Sequence, residues 1–96
     1  MKAEDTIYKY KSLFTDEHGA ISCPYLRVPD EWIPYLEVLF FDIIEYLKKD
    51  PSTDPIIFYT ISEVRGTLVM DYDGGNEYLE GMLMITSRYS PLWSCL

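Results

Sequence analysis

Four carboxylates, those of Asp71, Asp73, Glu77 and Glu80, form an acidic cluster in the C-terminal third of the chain. Carboxylate oxygens suit hard cations such as Ca²⁺ and Mg²⁺, so the cluster could hold a metal ion and support hydrolysis. Its spacing, however, does not match the ligand pattern of an EF-hand loop. A solvated acidic edge is therefore the favoured interpretation, and a metal-dependent hydrolase is a distant alternative.

Two other features could carry chemistry. His18 is the sole histidine, and no nucleophile lies near it in sequence, so a solvated loop histidine is favoured over a general base. Gly74 and Gly75 precede a predicted helix whose N-terminal amides could attract phosphate. The pair lacks the P-loop lysine and the third glycine of dinucleotide-binding motifs, which favours a tight turn. We therefore expect no enzymatic activity, no catalytic residue and no cofactor.

The cysteines and the apolar runs bear on cellular location. Cys23 and Cys95 are expected to be free thiols in a reducing cytosol, and a zinc site would need about four closely spaced Cys or His ligands. No apolar run approaches the roughly 20 residues that span a bilayer. The first residues do not resemble a signal peptide, because Glu4 and Asp5 follow Lys2 at once. We expect a cytoplasmic protein that contacts no membrane.

The charge balance bears on the partner. The chain of 96 residues has 16 acidic and 8 basic residues, a formal net charge of -8. Binding to nucleic acid depends on Lys and Arg neutralising phosphates, so a direct nucleic-acid ligand is not expected. An acidic surface suits a protein partner with a basic surface, although negative charge also keeps a small protein soluble.

One long helix should position these groups. Asp30 suits an N-cap, and Lys48 and Lys49 suit the negative end of the helix dipole, which predicts a helix over about Glu31 to Lys49. At 100° per residue, eight apolar residues share one wide face that should form the main wall of the core. They are Trp32, Ile33, Leu36, Leu39, Phe40, Ile43, Ile44 and Leu47.

Val38 and Phe41 fall on the opposite side of this helix, among Glu37, Asp42 and Glu45. Either another segment covers them, or they form an exposed patch. In the second case these five residues are the predicted recognition face, for a basic partner or for self-association as a homodimer. The acidic edge is the next candidate for partner binding, through the three residues Asp71, Asp73 and Glu77.

The other elements follow from local patterns. Residues 4–14 predict a short helix, and residues 21–28 predict a loop or an edge strand because Pro24 interrupts them. Residues 56–64 and 67–73 predict an antiparallel hairpin around Gly66, with Tyr59 and Ile61 buried against the long helix. Asn76 then caps a final helix. The expected fold is one α+β domain over residues 1–96: a long central helix and flanking helices packed on a β-hairpin, with a third edge strand as an option.

Three segments carry a family resemblance: residues 10–14 (YKSLF), 29–33 (PDEWI) and 61–72 (ISEVRGTLVMDY). In order and spacing they resemble the small bacterial and phage proteins that have a GDGW-type helix start and a KEKFGxLRFY-type hairpin. The Cys-rich tail of that family is represented here by Ser94 and Cys95. The family has no established activity, but it is common in phage and mobile elements. The resemblance thus implies a phage or prophage accessory protein that inhibits a host protein, such as a nucleic-acid-binding defence complex. The alternative is an immunity protein or antitoxin against a basic toxin.

Overall fold

The structure, a computed structural model that describes residues 3–23 and 26–94, has a three-stranded sheet covered on one face by helices. The α-helices are α1 (Ala3–Lys9), α2 (Ile33–Lys49) and α3 (Glu77–Tyr89), and the strands are β1 (Leu26–Arg27), β2 (Asp54–Val64) and β3 (Thr67–Gly75). Short 3-10 turns lie at Lys11–Leu13, Asp30–Trp32 and Ser90–Ser94. The predicted α+β class is confirmed. Within the described ranges, no helix combines the length and apolarity needed to cross a membrane.

The sheet has β2 at its centre. β2 and β3 are antiparallel and are joined at Arg65 and Gly66, whose positive φ angles of 54° and 83° are those of a tight hairpin turn. β1 is the third strand, and it runs parallel to β2 with Leu26 opposite Ile61. The hairpin and the optional edge strand of the sequence prediction are therefore both present.

One strand face differs from the prediction. The pairing of β2 with β3 shifts between Phe58 and Thr60, so Tyr59 is an extra residue without a direct partner on β3. Such a bulge breaks the period-two alternation, and side chains three positions apart then point to the same face. Phe58 and Ile61 are buried as a result, whereas Tyr59 is 40% exposed. The predicted burial of Tyr59 was wrong, and that of Ile61 is confirmed.

The core lies between the inner face of the sheet and α2. Six residues of the predicted apolar face of α2 and the turn before it are buried, and Ile44 and Leu47 are partly buried against them. Phe58 of β2 meets the ring of Phe40 of α2 at a centroid distance of 5.6 Å. The predicted start of α2 needs a correction, because residues 30–32 form a 3-10 turn in which no side chain caps the helix.

The N-terminal helix is shorter than residues 4–14. α1 ends at Lys9, and a 3-10 turn continues to Leu13. Asp16 then closes the next loop, because its Oδ1 accepts hydrogen bonds from the backbone N–H groups of His18 and Ala20. The apolar residues of this segment, Ile7, Tyr10 and Phe14, are nevertheless buried as the spacing indicated.

Gly74 makes a close approach that other residues cannot make. It has a φ of +88°, and a Cβ at this position would overlap the carbonyl oxygen of Pro55. Gly66 has a φ of +83°, but nothing lies within 4 Å of a Cβ built there. Gly74→Ala should lower the free energy of unfolding by more than Gly66→Ala, because backbone strain alone costs about 1–3 kcal/mol and the overlap adds to it. Gly66→Ala is the matched control for strain without overlap, and equal losses for both in urea denaturation would contradict the close approach.

Candidate protein-binding site

The outer side of α2 carries two apolar side chains that no described segment covers. Val38 is 62% exposed and Phe41 is 54% exposed. At 100° per residue they lie roughly 150° from the middle of the core-facing side, so they point away from the sheet. Tyr10 and Pro34 join them in lining a shallow groove of about 350 Å³. We call Val38, Phe41, Tyr10 and Pro34 the outer patch; of the two alternatives left by the sequence, exposure is the correct one.

Glu37 was predicted to be a charge at the edge of this face, but its side chain is engaged within the protein. One carboxylate oxygen accepts a hydrogen bond from the hydroxyl of Thr6 at 2.8 Å. The other lies 3.5 Å from Nζ of Lys9, and the Glu37 side chain is only 14% exposed. Glu37 therefore fastens α1 onto α2 and has little capacity left to attract a partner.

The two remaining carboxylates of the predicted face differ from each other. Glu45 is half-buried and pairs with Lys48, whose Nζ lies 3.3 Å from its Oε2. Asp42 is exposed, and no ion pair within the described residues neutralises it. With Lys9 and Lys48 beside Glu37 and Glu45, the outer side of α2 is apolar with nearly balanced charge, and Asp42 is its principal unbalanced carboxylate.

The role of Glu37 can be tested by comparing two carboxylates on the same helix. Glu37→Ala should lower the free energy of unfolding by about 1–2 kcal/mol, because a hydrogen bond to a mostly buried charged group is lost. Asp42→Ala should change it by less than about 0.5 kcal/mol, as is usual for an exposed side chain. Thermal or urea denaturation measures both, and equal effects would show that Glu37 does not hold α1 in place.

The acidic cluster of the sequence is divided between two elements. Asp71 and Asp73 alternate with the inward-facing residues of β3 and are exposed on the outer face of the sheet, while Glu77 begins α3 directly after its N-cap, Asn76. Glu80 lies one turn further along α3. In the part of the chain that is described, no three His, Cys, Asp or Glu side chains converge as a metal site. The cluster is thus an acidic surface in two parts.

The outer face of the sheet is more acidic than the sequence cluster alone indicated. The phenol of Tyr59 lies 3.5 Å from Oδ2 of Asp73. Desolvation raises the pKa of Tyr59 above its usual value, and the negative charge of Asp73 raises it further. The negative charges of Asp16 and Glu17, from the loop before β1, also raise the pKa of Tyr59. This loop therefore brings its carboxylates towards the hairpin, an arrangement that linear spacing could not indicate.

The remaining candidate residues occupy structural or solvated positions. His18 is exposed, with Nε2 lying 3.5 Å from a carboxylate oxygen of the equally exposed Glu17. Gly74 and Gly75, predicted as a tight turn, instead form the end of β3, where Gly75 pairs with Asp54 and both glycines have positive φ angles. Cys23 is buried, and Cys95 lies outside the described residues.

Tyr10 is the functional candidate that sequence reasoning missed. It is buried in the core as the spacing of its segment indicated, yet it also forms one wall of the groove beside Phe41. Its ring contacts Phe40 at a centroid distance of 5.8 Å, which links the groove to the core. The available signal was the aromatic side chain of Tyr10 in the first predicted helix. Spacing along the chain could not show that Phe41 lies beside it in the groove.

Comparison with protein-family models, with curated proteins and with solved structures finds no match for this chain. Its function must therefore be argued from its own surfaces.

Proposed function

We propose that this protein is a non-enzymatic module that binds another protein through the outer patch of α2. The observation that carries the proposal is the exposure of Val38 and Phe41, at 62% and 54%, beside a groove. Large apolar side chains grouped on a surface are typical of interaction sites, and aromatic residues are frequent binding anchors. Phe41 is the proposed anchor, and the groove walled by Tyr10 and Pro34 receives an apolar side chain from the partner.

The partner is proposed to have a basic surface around that apolar side chain. The formal net charge of -8 supports this choice, because a long-range negative field attracts cationic proteins and speeds their association. Asp42 contributes negative charge next to Phe41. Asp71, Asp73 and Glu77 contribute negative charge farther from it. Two copies of the chain would repel each other, so a homodimer through the outer patch is the less favoured alternative.

For the biological role, we propose an accessory protein of a phage or prophage that inhibits a host defence protein by direct contact. This part of the proposal depends on the resemblance of residues 61–72 and on the acidic charge, since a nucleic-acid-binding defence complex presents basic surfaces. An immunity protein or antitoxin that neutralises a basic toxin is the second candidate, and the same charge supports it. A neighbouring toxin gene would favour the second role, and a phage operon would favour the first.

A site-specific cross-linking experiment tests the binding surface. A photoreactive phenylalanine analogue is placed at position 41 and, as a control, at position 89, because Tyr89 is exposed to a similar degree, 55% against 54%. The full-length protein is irradiated in a lysate of the host, and the products are identified by mass spectrometry. A basic protein captured at position 41 and not at position 89 supports the proposal. Equal capture at the two positions, or a product that is a second copy of the chain, contradicts it.

A further inference from the structure

The outer edge of β3 has hydrogen-bonding groups that the sheet does not use. In the described part of the chain, β3 is an edge strand, because the order of the sheet is β1-β2-β3. In an antiparallel pair, alternate residues turn their N–H and C=O groups away from the neighbouring strand. β3 follows this alternation from Thr67 to Asp73 without a bulge of its own. The edge is therefore regular enough to accept another strand.

Leu68 identifies which residues turn their backbone groups outward. Its N–H donates to Oγ of Ser90 at 2.7 Å, and its C=O accepts from the hydroxyl of Ser87 at 2.6 Å. By alternation, the N–H and C=O groups of Met70 and Tyr72 point to the same edge. The two serines thus satisfy the N–H and C=O groups of Leu68. No described side chain forms a hydrogen bond with the corresponding backbone groups of Met70 or Tyr72.

A groove lies along this open part of the edge. It has a volume of about 300 Å³ and runs between β3 and α3, with Leu83 and Met84 on its helical side. Met84 is 56% exposed. Glu80 lies at the end next to Tyr72, and its charge adds to desolvation in raising the pKa of the Tyr72 phenol. An open strand edge beside an apolar groove is the arrangement in which sheets bind extended peptides.

We propose that the β3 edge at Met70 and Tyr72 binds an extended segment of a protein partner in which apolar and basic residues alternate. Side chains of an added strand point alternately to the two faces of the sheet. Those on the inner face would enter the groove beside Met84, which calls for apolar residues. Those on the outer face would lie next to Asp71 and Asp73, which calls for Lys or Arg.

The same charges argue against the other occupant of a strand edge, a second copy of β3. Pairing two β3 edges would bring Asp71 and Asp73 of one copy close to those of the other, and like charges on adjacent strands destabilise a sheet. Acidic side chains at an edge thus select against self-pairing and for a cationic strand. This site is separate from the outer patch of α2, so either proposal can fail without the other.

The test uses a short fluorescent peptide that alternates lysine and valine, added to the full-length protein. Binding is measured by fluorescence polarisation, with two control peptides: one that alternates glutamate and valine, and one that has its lysines and valines in separate blocks. The alternating lysine peptide should bind at least about tenfold more tightly than either control. Only this peptide can place all its lysines next to Asp71 and Asp73 and all its valines towards the groove. Equal affinity for the alternating and blocked lysine peptides would overturn the proposal, since it would indicate charge attraction alone.

Charge-reversal variants locate the peptide on the molecule. Asp71→Lys combined with Asp73→Lys should weaken binding of the alternating peptide about tenfold or more. Glu4→Lys combined with Asp5→Lys changes the net charge equally on exposed positions of α1 and should leave the affinity within about twofold. Equal weakening by both pairs would contradict binding at the β3 edge.

Amide hydrogen exchange shows whether the peptide pairs with the backbone. A saturating amount of peptide should slow exchange at the N–H groups of Met70 and Tyr72 by at least about tenfold, because they gain hydrogen bonds. Val69 and Asp71, whose N–H groups face β2, should change little. Binding without slower exchange at Met70 and Tyr72 would overturn the proposal, as would protection that appears without peptide when the protein concentration is raised.

Discussion

Replacing Phe58 with alanine is expected to lower the free energy of unfolding by about 3–5 kcal/mol, whereas the same change at the neighbouring Tyr59 should lower it by less than about 1 kcal/mol. Phe58 is fully buried and lies within ring contact of Phe14, Phe40 and Tyr72. Removing its ring would leave a cavity where the sheet, α2 and the N-terminal segment meet. Tyr59 is 40% exposed, and its removal leaves no cavity.

Urea denaturation of the two variants measures the difference and tests the bulge in β2. A strand with regular alternation would bury Tyr59 together with Ile61 and would expose Phe58. A larger loss of stability for Tyr59→Ala than for Phe58→Ala would therefore contradict the pairing of β2 with β3. Tyr59→Phe separates the hydroxyl contact with Asp73 from the ring, and it should behave like the wild-type protein.

The elements that sequence analysis predicted well are those that depend on a strong periodic signal. The core face of α2 was predicted correctly because its apolar residues repeat with helical spacing over several turns. The hairpin turn was located because Gly66 can take the positive φ that the turn requires. Asn76 was predicted as an N-cap, and its side chain accepts a hydrogen bond from the N–H of Leu79 at 3.0 Å.

The strand faces could not be predicted with the same success, because one inserted residue reverses the alternation of a strand. Phe58 and Tyr59 are adjacent aromatic residues, so composition does not indicate which one faces the core. The direction of β1 could not be predicted from the sequence either. Its two residues are placed by tertiary contacts of the preceding segment, such as the hydrogen bond from Oγ of Ser22 to the carbonyl of Phe58 at 2.7 Å.

The candidate sites were predicted in part for a related reason. Helical periodicity placed the apolar residues Val38 and Phe41 opposite the core-facing side of α2, but it could not show whether another segment covers them. It also could not show that Glu37 contacts Thr6 and Lys9, because the position of α1 depends on how Ile7 packs in the core. Sites that combine distant segments require the fold before they can be recognised.

Phe41→Ala is expected to weaken binding of the partner by about 2–4 kcal/mol, which is roughly 30-fold to 1,000-fold in Kd. An aromatic anchor contributes most when it is fully desolvated in the complex, so the loss should appear mainly as faster dissociation. Asp42→Lys should instead slow association, and more so at low salt, because a charge at the rim of an interface mainly affects the rate of encounter.

Stability provides the control for this prediction. Phe41 is 54% exposed, so Phe41→Ala should melt close to the wild-type temperature. Tyr89→Ala removes an aromatic side chain of similar exposure from α3 and should leave the Kd within about twofold of the wild-type value. A Phe41→Ala protein that unfolds would show that this side chain belongs to the core.

The most direct test of the outer patch is the dissociation rate of the partner captured at position 41, measured for the wild-type, Phe41→Ala and Tyr89→Ala proteins. All three are first shown to have the same melting temperature. If the outer patch is the recognition site, Phe41→Ala should dissociate at least about 30-fold faster than the other two proteins, which should be alike. Equal dissociation rates for all three would contradict recognition through α2.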